Sequence, residues 1–391
     1  MSKQNVKNVV LPHSEAKLQT YHGYLEKYIQ VLVASQVWSQ INLYDVFCGS
    51  GIYEDGKAGS PILAFEAIKM NREWCAKSRI YPTPISLNIN DLDKNKVEAV
   101  EQFLTSKPKQ TNTALKFSNL PAQDFLNQIQ AEVNAGKQGT RNLIFIDPYG
   151  YKQIKAETIK NLLSNGATEI ILFLPASFIY RFAGVAQVEV DVTQYEPLRE
   201  LISGFFKSDH PIQQNEVKSP LEFIQSLKEA MSFGGKFHSA SHFIQRDKGN
   251  FFALFFMTSS LKGLEKFLET KWELDPVKGQ GYKMPDTHGM ASLFGDALDQ
   301  QDRDERLQSF ASRLEAFIRL ERRHDFKLYE FTLLNEFIPK HTTAILKEWQ
   351  DKGDLEVWDD RNNKPARKGS FNITYESTKP AGSKFTFKMK H

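Results

Sequence analysis

Cysteine is almost missing from this 391-residue chain: Cys48 and Cys75 are the only two. Two thiols are too few for a disulfide framework, a zinc knuckle or an iron–sulfur site, so no thiolate metal centre is expected within the chain. No apolar run approaches the roughly 20 residues a membrane-spanning helix needs. The polar opening Met1-Ser2-Lys3-Gln4-Asn5 lacks the features of a secretory signal, so the expected location is the cytoplasm. A strong excess of one charge is lacking too. The net charge is +3, which gives no argument for nucleic-acid binding from bulk charge and leaves that question to local clusters. Internal repeats, low-complexity tracts and the Ser-His-Asp or paired-glutamate patterns of hydrolases are also absent. What remains is an ordinary globular composition, 41% hydrophobic and 25% charged, in a chain that suits one large and one small domain.

Two stretches organise the large part. Leu43-Tyr44-Asp45-Val46-Phe47-Cys48-Gly49-Ser50-Gly51 reads as a buried strand entering a glycine turn, and Asn142 to Gly150 reads as a second strand ending in Asp147-Pro148-Tyr149-Gly150. Before the first, Leu18, Tyr21, Leu25, Ile29 and Leu32 recur at helical spacing between His13 and Ser35. Between and after the two lie a helix opened by Gly59-Ser60-Pro61, a strand over 85–89, a helix carrying Val97, Val100 and Leu104, a short strand over 114–117 and a helix over about 125–133. A helix with Ile154, Ile159 and Leu162 and a fully apolar strand over 168–174 complete the series. This alternation predicts an α/β, Rossmann-like, doubly wound parallel sheet with ligands at the carboxyl ends of its strands. A mostly helical insertion is expected at about 182–235, with a capping box at Ser219-Pro220-Leu221-Glu222. Two extended runs, 237–244 and 251–258, flank the turn sequence Asp247-Lys248-Gly249-Asn250 and predict a terminal antiparallel hairpin. Such a hairpin distinguishes class I methyltransferases from dehydrogenases that carry a similar glycine turn.

Each polar group at those strand ends has a chemical use in binding S-adenosylmethionine. Gly49 and Gly51 let the backbone approach the amino-acid part of the cofactor, with Phe47 and Ser50 in the same cradle and amides facing its carboxylate. Asp45 is placed to meet the ammonium or sulfonium end; alternatively it caps the turn. Asp91, or Asp93 as second choice, would accept from the ribose hydroxyls, and Asp124 from the adenine amino group; all three positions also suit helix N-caps. Asp147-Pro148-Tyr149-Gly150 is similar to the Asp/Asn-Pro-Pro-aromatic motif of amino-methyltransferases. There the carboxylate and the next carbonyl accept from an exocyclic amine and the ring stacks on the base. Here Tyr149 stands in place of the second proline, and an Asp-Pro-x-Gly turn is the plainer alternative. His13, Lys17 and Tyr24 either face this site or line the solvent side of their helix. The sulfonium is already activated, so catalysis needs positioning more than a strong base.

The Lys17 to Tyr24 helix, the Tyr44-to-Gly51 strand and turn, Gly59-Ser60-Pro61, Phe145 to Gly150, and the Phe251 to Trp272 strand and helix together resemble the three-Cys-motif partner family (TcmP), over about 11–272. The resemblance implies a methyltransferase-like fold working beside a radical-SAM-like protein with three cysteines, which would supply the cluster this chain lacks. The expected layout is a methyltransferase-like domain over 1–277, a linker over 278–302, a winged-helix domain over 303–378 and a basic tail over 379–391. The winged helix follows from three helices and then two extended pieces, Leu355-Glu356-Val357 and Phe371-Asn372-Ile373-Thr374. Lys364, Arg367 and Lys368 in its wing are candidate phosphate contacts. The expected function is methyl transfer to nucleic acid, with an exocyclic base amine as candidate acceptor; the alternative is a catalytically silent binding or assembly module.

Overall fold

Pro12 opens and a left-handed Gln36 closes the first helix, α1 (Pro12–Ser35), which feeds β1 (Gln40–Asp45). The computed structural model describes residues 10–136, 138–188, 193–213, 219–247, 249–276, 279–282, 295–379 and 382–390. After β1 the chain alternates through α2 (Ser60–Ser78), β2 (Ile85–Asn90), α3 (Lys94–Thr105), β3 (Thr113–Ser118), α4 (Ala122–Asn134), β4 (Thr140–Ile146), α5 (Ala156–Leu163) and β5 (Thr168–Leu174). Helices α6 (Ala176–Val188), α7 (Glu196–Phe205) and α8 (Pro220–Ala230) come next, then β6 (His238–Gln245) and β7 (Phe251–Thr258). Ser219 caps α8 by accepting from the Glu222 amide at 3.2 Å.

Among the described residues the sheet has eight strands in the order β3-β2-β1-β4-β5-β7-β6-β8, where β8 is the two-residue strand Gly281–Tyr282. β1 to β5 are mutually parallel, and β7 runs antiparallel to both β5 and β6. Successive strands move outward from β1 to β3 on one side, and from β4 onward on the other. The topological switch point therefore lies between β1 and β4, the place where doubly wound sheets form a crevice beyond the strand ends.

Both faces are covered, as parallel strands require. On one face, Tyr44, Ile144, Ile146, Leu172, Leu174 and Phe255 pack against α4 to α8 in a continuous core. Each fully buried Leu or Ile there stabilises by about 1.5–3 kcal/mol. On the other face α1 lies over alternate residues of the same strands. Tyr21 stacks on Phe145 with centroids 4.2 Å apart, and Tyr24 tilts on Phe256 at 4.8 Å. Tyr24 also donates to the buried Glu169 of β5, which accepts from Thr258 at 2.8 Å. Tyr24 thus anchors α1 near the amino end of β5, the edge opposite the crevice, and being fully buried it takes neither of the two expected places, the site or the solvent side of its helix.

The chain divides into two compact units, 1–263 with 281–284, and 264–280 with 285–391. The division falls within α9 (Leu261–Leu274) and not at 277. Of the expected linker over 278–302, residues 278 and 283–294 lie outside the described residues, and 295–302 are helical, the start of α10 (Gly295–Leu320). The second unit continues with β9 (Arg323–His324), α11 (Asp325–Leu334), α12 (Pro339–Lys352), β10 (Leu355–Asp359), β11 (Lys364–Pro365) and β12 (Phe385–Met389), in an antiparallel sheet of order β11-β10-β12-β9.

Two expectations are corrected in this unit. The strand paired along β10 is β12, in the segment expected as a basic tail, while 371–374 is extended without belonging to a strand. The reason is a period of two hidden among lysines: Phe385, Phe387 and Met389 turn inward, and Thr386 and Lys388 alternate with them. Phe387→Ala should therefore lower the stability of this unit by about 3–5 kcal/mol, while Lys388→Ala changes it by less than about 0.5 kcal/mol. Urea unfolding of the two variants checks this, and equal effects would show that the segment is not core.

Candidate functional site

The crevice at the switch point is lined first by the turn after β1. Gly49 and Gly51 have φ of 60° and 74°, a left-handed backbone that glycine adopts without penalty. At Gly51 a Cβ would stand 2.6 Å from Val100 Cγ2, so the turn lies against α3 with no room for a side chain. Asp91, buried at the end of β2, braces it: one oxygen accepts from the Gly49 amide at 3.0 Å and the other from the Asp93 amide at 3.0 Å. Each oxygen keeps a second lone pair. Asp93 caps α3 through the Asn95 amide. Asp124 is exposed in the first turn of α4, while Asn90 ties the end of β2 to Val46 and Leu120. Phe47 and Ser50 are half-buried in the turn. Burial pushes the Cys48 thiol up, so it is a packing group rather than a nucleophile.

Asp45 is the unusual member. Register pairing sets it beside Phe145 of β4 and Ile89 of β2, and its side chain is wholly buried. Neither carboxylate oxygen completes a hydrogen bond within the described residues. Burial pushes its pKa up to about 7; the nearby Asp147 charge adds to this, while the Ser60 hydroxyl, the Phe47 amide and Lys17 oppose it without making a well-formed bond. A carboxylate left this way is a costly feature that a cation at the site would relieve.

Asp147 lies at the end of β4, two residues past Phe145 and so on the α1 face. Lys17 of α1 donates to Asp147 Oδ2 and rests over the Phe173 ring at 4.8 Å; Oδ1 makes no hydrogen bond among the described residues. Burial works against the Lys17 charge, but Asp147 outweighs it and holds the lysine pKa above its ordinary value. Phe173 stacks on Phe252 at 5.1 Å, which stacks on His13 at 5.0 Å. Burial, then the Arg246 and Lys17 cations, push the His13 pKa down. Pro148 is buried, and Tyr149 is 85% exposed. The Tyr149 hydroxyl accepts from Lys96 of α3 at 2.9 Å, and since β1 lies between β2 and β4 this contact spans the end of β1.

The structure therefore brings together Asp45, Phe47, Gly49, Ser50, Gly51, Asp91, Asp147, Pro148, Tyr149 and Lys17 at one edge of one sheet. Asp124 stands apart from the polar contacts of that cluster. Lys364, Arg367 and Lys368 belong to the second unit, where the Lys368 amine donates to the Asp351 carbonyl at 3.2 Å. Phe173, Phe252 and Lys96 were not anticipated as site residues. Phe173 carried a signal, as the last aromatic of a strand whose end lies in the crevice, but uniform hydrophobicity concealed which face it takes.

No family model and no curated protein matches the chain. Solved structures similar to it include protein LPL1258 from Legionella pneumophila, at 13% identity over 67% of this chain and 92% of that one, with a TM-score of 0.38. Human methyltransferase-like protein 13 in complex with SAH is 9% identical over 73% and 100% of the two chains, with a TM-score of 0.31. A putative O-methyltransferase from Klebsiella pneumoniae is 15% identical over 64% and 91%, with a TM-score of 0.29. Likenesses this distant carry no inference about the reaction of this chain.

Asp45 yields a pH test. A carboxyl that binds its proton more tightly when folded contributes stability below its ordinary value of 3.8, and that contribution is lost as pH rises through about 7. Asp45→Asn stays neutral throughout, so its stability relative to the parent should grow by about 2–4 kcal/mol between pH 4 and pH 8. Denaturant unfolding at both pH values is the measurement; a difference that does not vary with pH would contradict this account of the site.

Proposed function

We propose that the chain is an S-adenosylmethionine-dependent methyltransferase acting on nucleic acid, with an exocyclic base amine as acceptor, and that it works with a radical-SAM-like three-cysteine partner. The observation that carries the reading is Asp45: a buried carboxylate whose oxygens complete no hydrogen bond among the described residues, at the switch-point crevice, beside two glycines whose backbone admits a ligand closely. The antiparallel β7 between β5 and β6 supports a methyltransferase sheet over a dehydrogenase one.

The residues fit the cofactor. Asp45 would take its cationic end, the Gly49–Gly51 turn its amino-acid part and Asp91 its ribose through the lone pairs left free. The bound cofactor supplies a methyl group already activated by the sulfonium. What the chain adds is position. Lys17, held in turn by the Phe173 face, fixes one oxygen of Asp147 and leaves Oδ1 presented to an N–H donor. An amine that donates to Oδ1 is oriented without losing its lone pair to the protein. Lys17 is thus a positioning residue here and not a direct substrate contact. Tyr149, exposed at the mouth, offers a stacking surface worth about 1–3 kcal/mol to a base.

A second reading, a catalytically silent module that binds nucleic acid or assembles with the three-cysteine partner, is favoured by one observation. Asp147 and Tyr149 are both already engaged, by Lys17 and Lys96. In this reading the C-terminal unit, taken as a winged helix, is a docking element.

Isothermal calorimetry with S-adenosylhomocysteine should give binding to the parent chain and at least tenfold weaker binding to Asp45→Asn, about 1.4 kcal/mol or more. No heat with the parent would remove the enzymatic reading. In radiolabelled methyl transfer to total DNA, RNA and protein, Asp147→Ala should lose about 10²-fold in rate with cofactor affinity preserved. Lys17→Met should lose a part of that; full activity in Asp147→Ala would show that the acceptor site is elsewhere.

A further inference from the structure

The long connection from β10 to β12 in the second unit folds back on its own domain. Phe371 and Ile373 are buried, and the Phe371 ring meets Phe385 and Phe387 edge-on at 6.2 and 5.0 Å. Alternation then turns Ser370, Asn372 and Thr374 outward. Their side chains make no hydrogen bond among the described residues, and neither does the Asn372 amide. These residues form one wall of a cup of about 280 Å³ whose other side is built by Arg361 and Lys384.

The charges in the cup are unequally used. Asp325, its one acidic lining residue, is buried, and its oxygens accept from the Ser383 hydroxyl at 2.7 Å and from the Lys384 and Phe326 amides at 3.1 and 3.0 Å. Arg361 leans on the Phe385 ring at 5.3 Å and reaches Asp359 only through Nε at 3.3 Å and Nη2 at 3.5 Å, which leaves Nη1 unpaired among the described residues. The Lys384 amine makes no ion pair there either. Two cations with free donors, two hydroxyls and an amide thus belong to residues lining a small polar cavity whose acid is already satisfied. That donor set suits a tetrahedral oxyanion.

We propose that this cup is a phosphate site, occupied by a phosphodiester of a nucleic-acid strand or by a free phosphate. Lys364, Arg367 and Lys368 line none of it. The inference rests on the second unit alone and does not depend on methyl transfer.

The full-length chain serves for the test, with two probes: fluorescence anisotropy with a labelled 20-nucleotide single strand across a salt series, and ³¹P line-broadening with inorganic phosphate. The double variant Arg361→Gln, Lys384→Gln should bind the oligonucleotide more weakly, with a log-affinity against log-salt slope shallower by about 1–2. Asn372→Asp, which leaves both cations in place but sets a negative charge in the cup, should weaken binding in the same direction, and circular dichroism reports whether each variant is folded. Loss of both oligonucleotide and phosphate binding in folded variants assigns the site to a strand phosphate. Loss of phosphate binding with oligonucleotide binding unchanged assigns it to free phosphate. Folded variants that bind both probes as the parent does, or a parent that binds neither, would overturn the proposal.

Discussion

The parallel ladder between β1 and β4 is the constraint on which the rest of the first unit depends. It sets Asp45 against Phe145, and therefore Asp147 one pleat beyond, so two carboxylates end at the same crevice on the same side of the sheet. Two like charges so close in a buried place are unfavourable unless each is answered. Lys17 answers one of them. The other completes no hydrogen bond among the described residues, so the two carboxylates are unequally compensated.

Helix α1 is what makes this arrangement hold. Its Tyr21 packs on Phe145, Tyr24 reaches Glu169 near one edge of the sheet and Lys17 reaches Asp147 at the other. Polar anchors at both edges set the position of the helix along the strands. Apolar packing alone would leave it free to slide by a fraction of a turn. The Lys17 amine is accordingly a structural pin and a site component together, and the Phe173 face beneath it compensates part of the loss of water around the charge.

The second unit solves a different problem. A small antiparallel sheet presents edges, and here the long connection between β10 and β12 is tied back by Phe371 and Ile373 instead of extending as a free wing. The same alternation that buries those two residues turns a row of hydroxyls and an amide outward. Burial and exposure along one extended segment are therefore linked, and a polar cup follows from them.

Most of the first unit was legible from local pattern. Strand and helix order, the glycine turn and the two aspartates at strand ends all follow from periodicity and from the few residues that can turn a chain there. Less was legible wherever the outcome depended on a distant partner. Lys17 and Tyr24 lie on one helix with similar local surroundings, yet one goes to the crevice and the other toward the opposite edge, because only the packed sheet determines what lies beneath each. Asp91 is the first choice by sequence and Asp93 the second, but only the fold places the first against the glycine turn and leaves the second capping α3. Phe385 to Met389 was hidden by its lysines, since charge on one face of a strand says little about the other. By itself the sequence determined which segments form the parallel strands of the first unit and which residues end them, for those depend on short-range sterics and on period. Only the tertiary structure decided that Asp45 is buried with no hydrogen-bond partner among the described residues while Asp147 has one, because desolvation and pairing depend on everything that surrounds a charge.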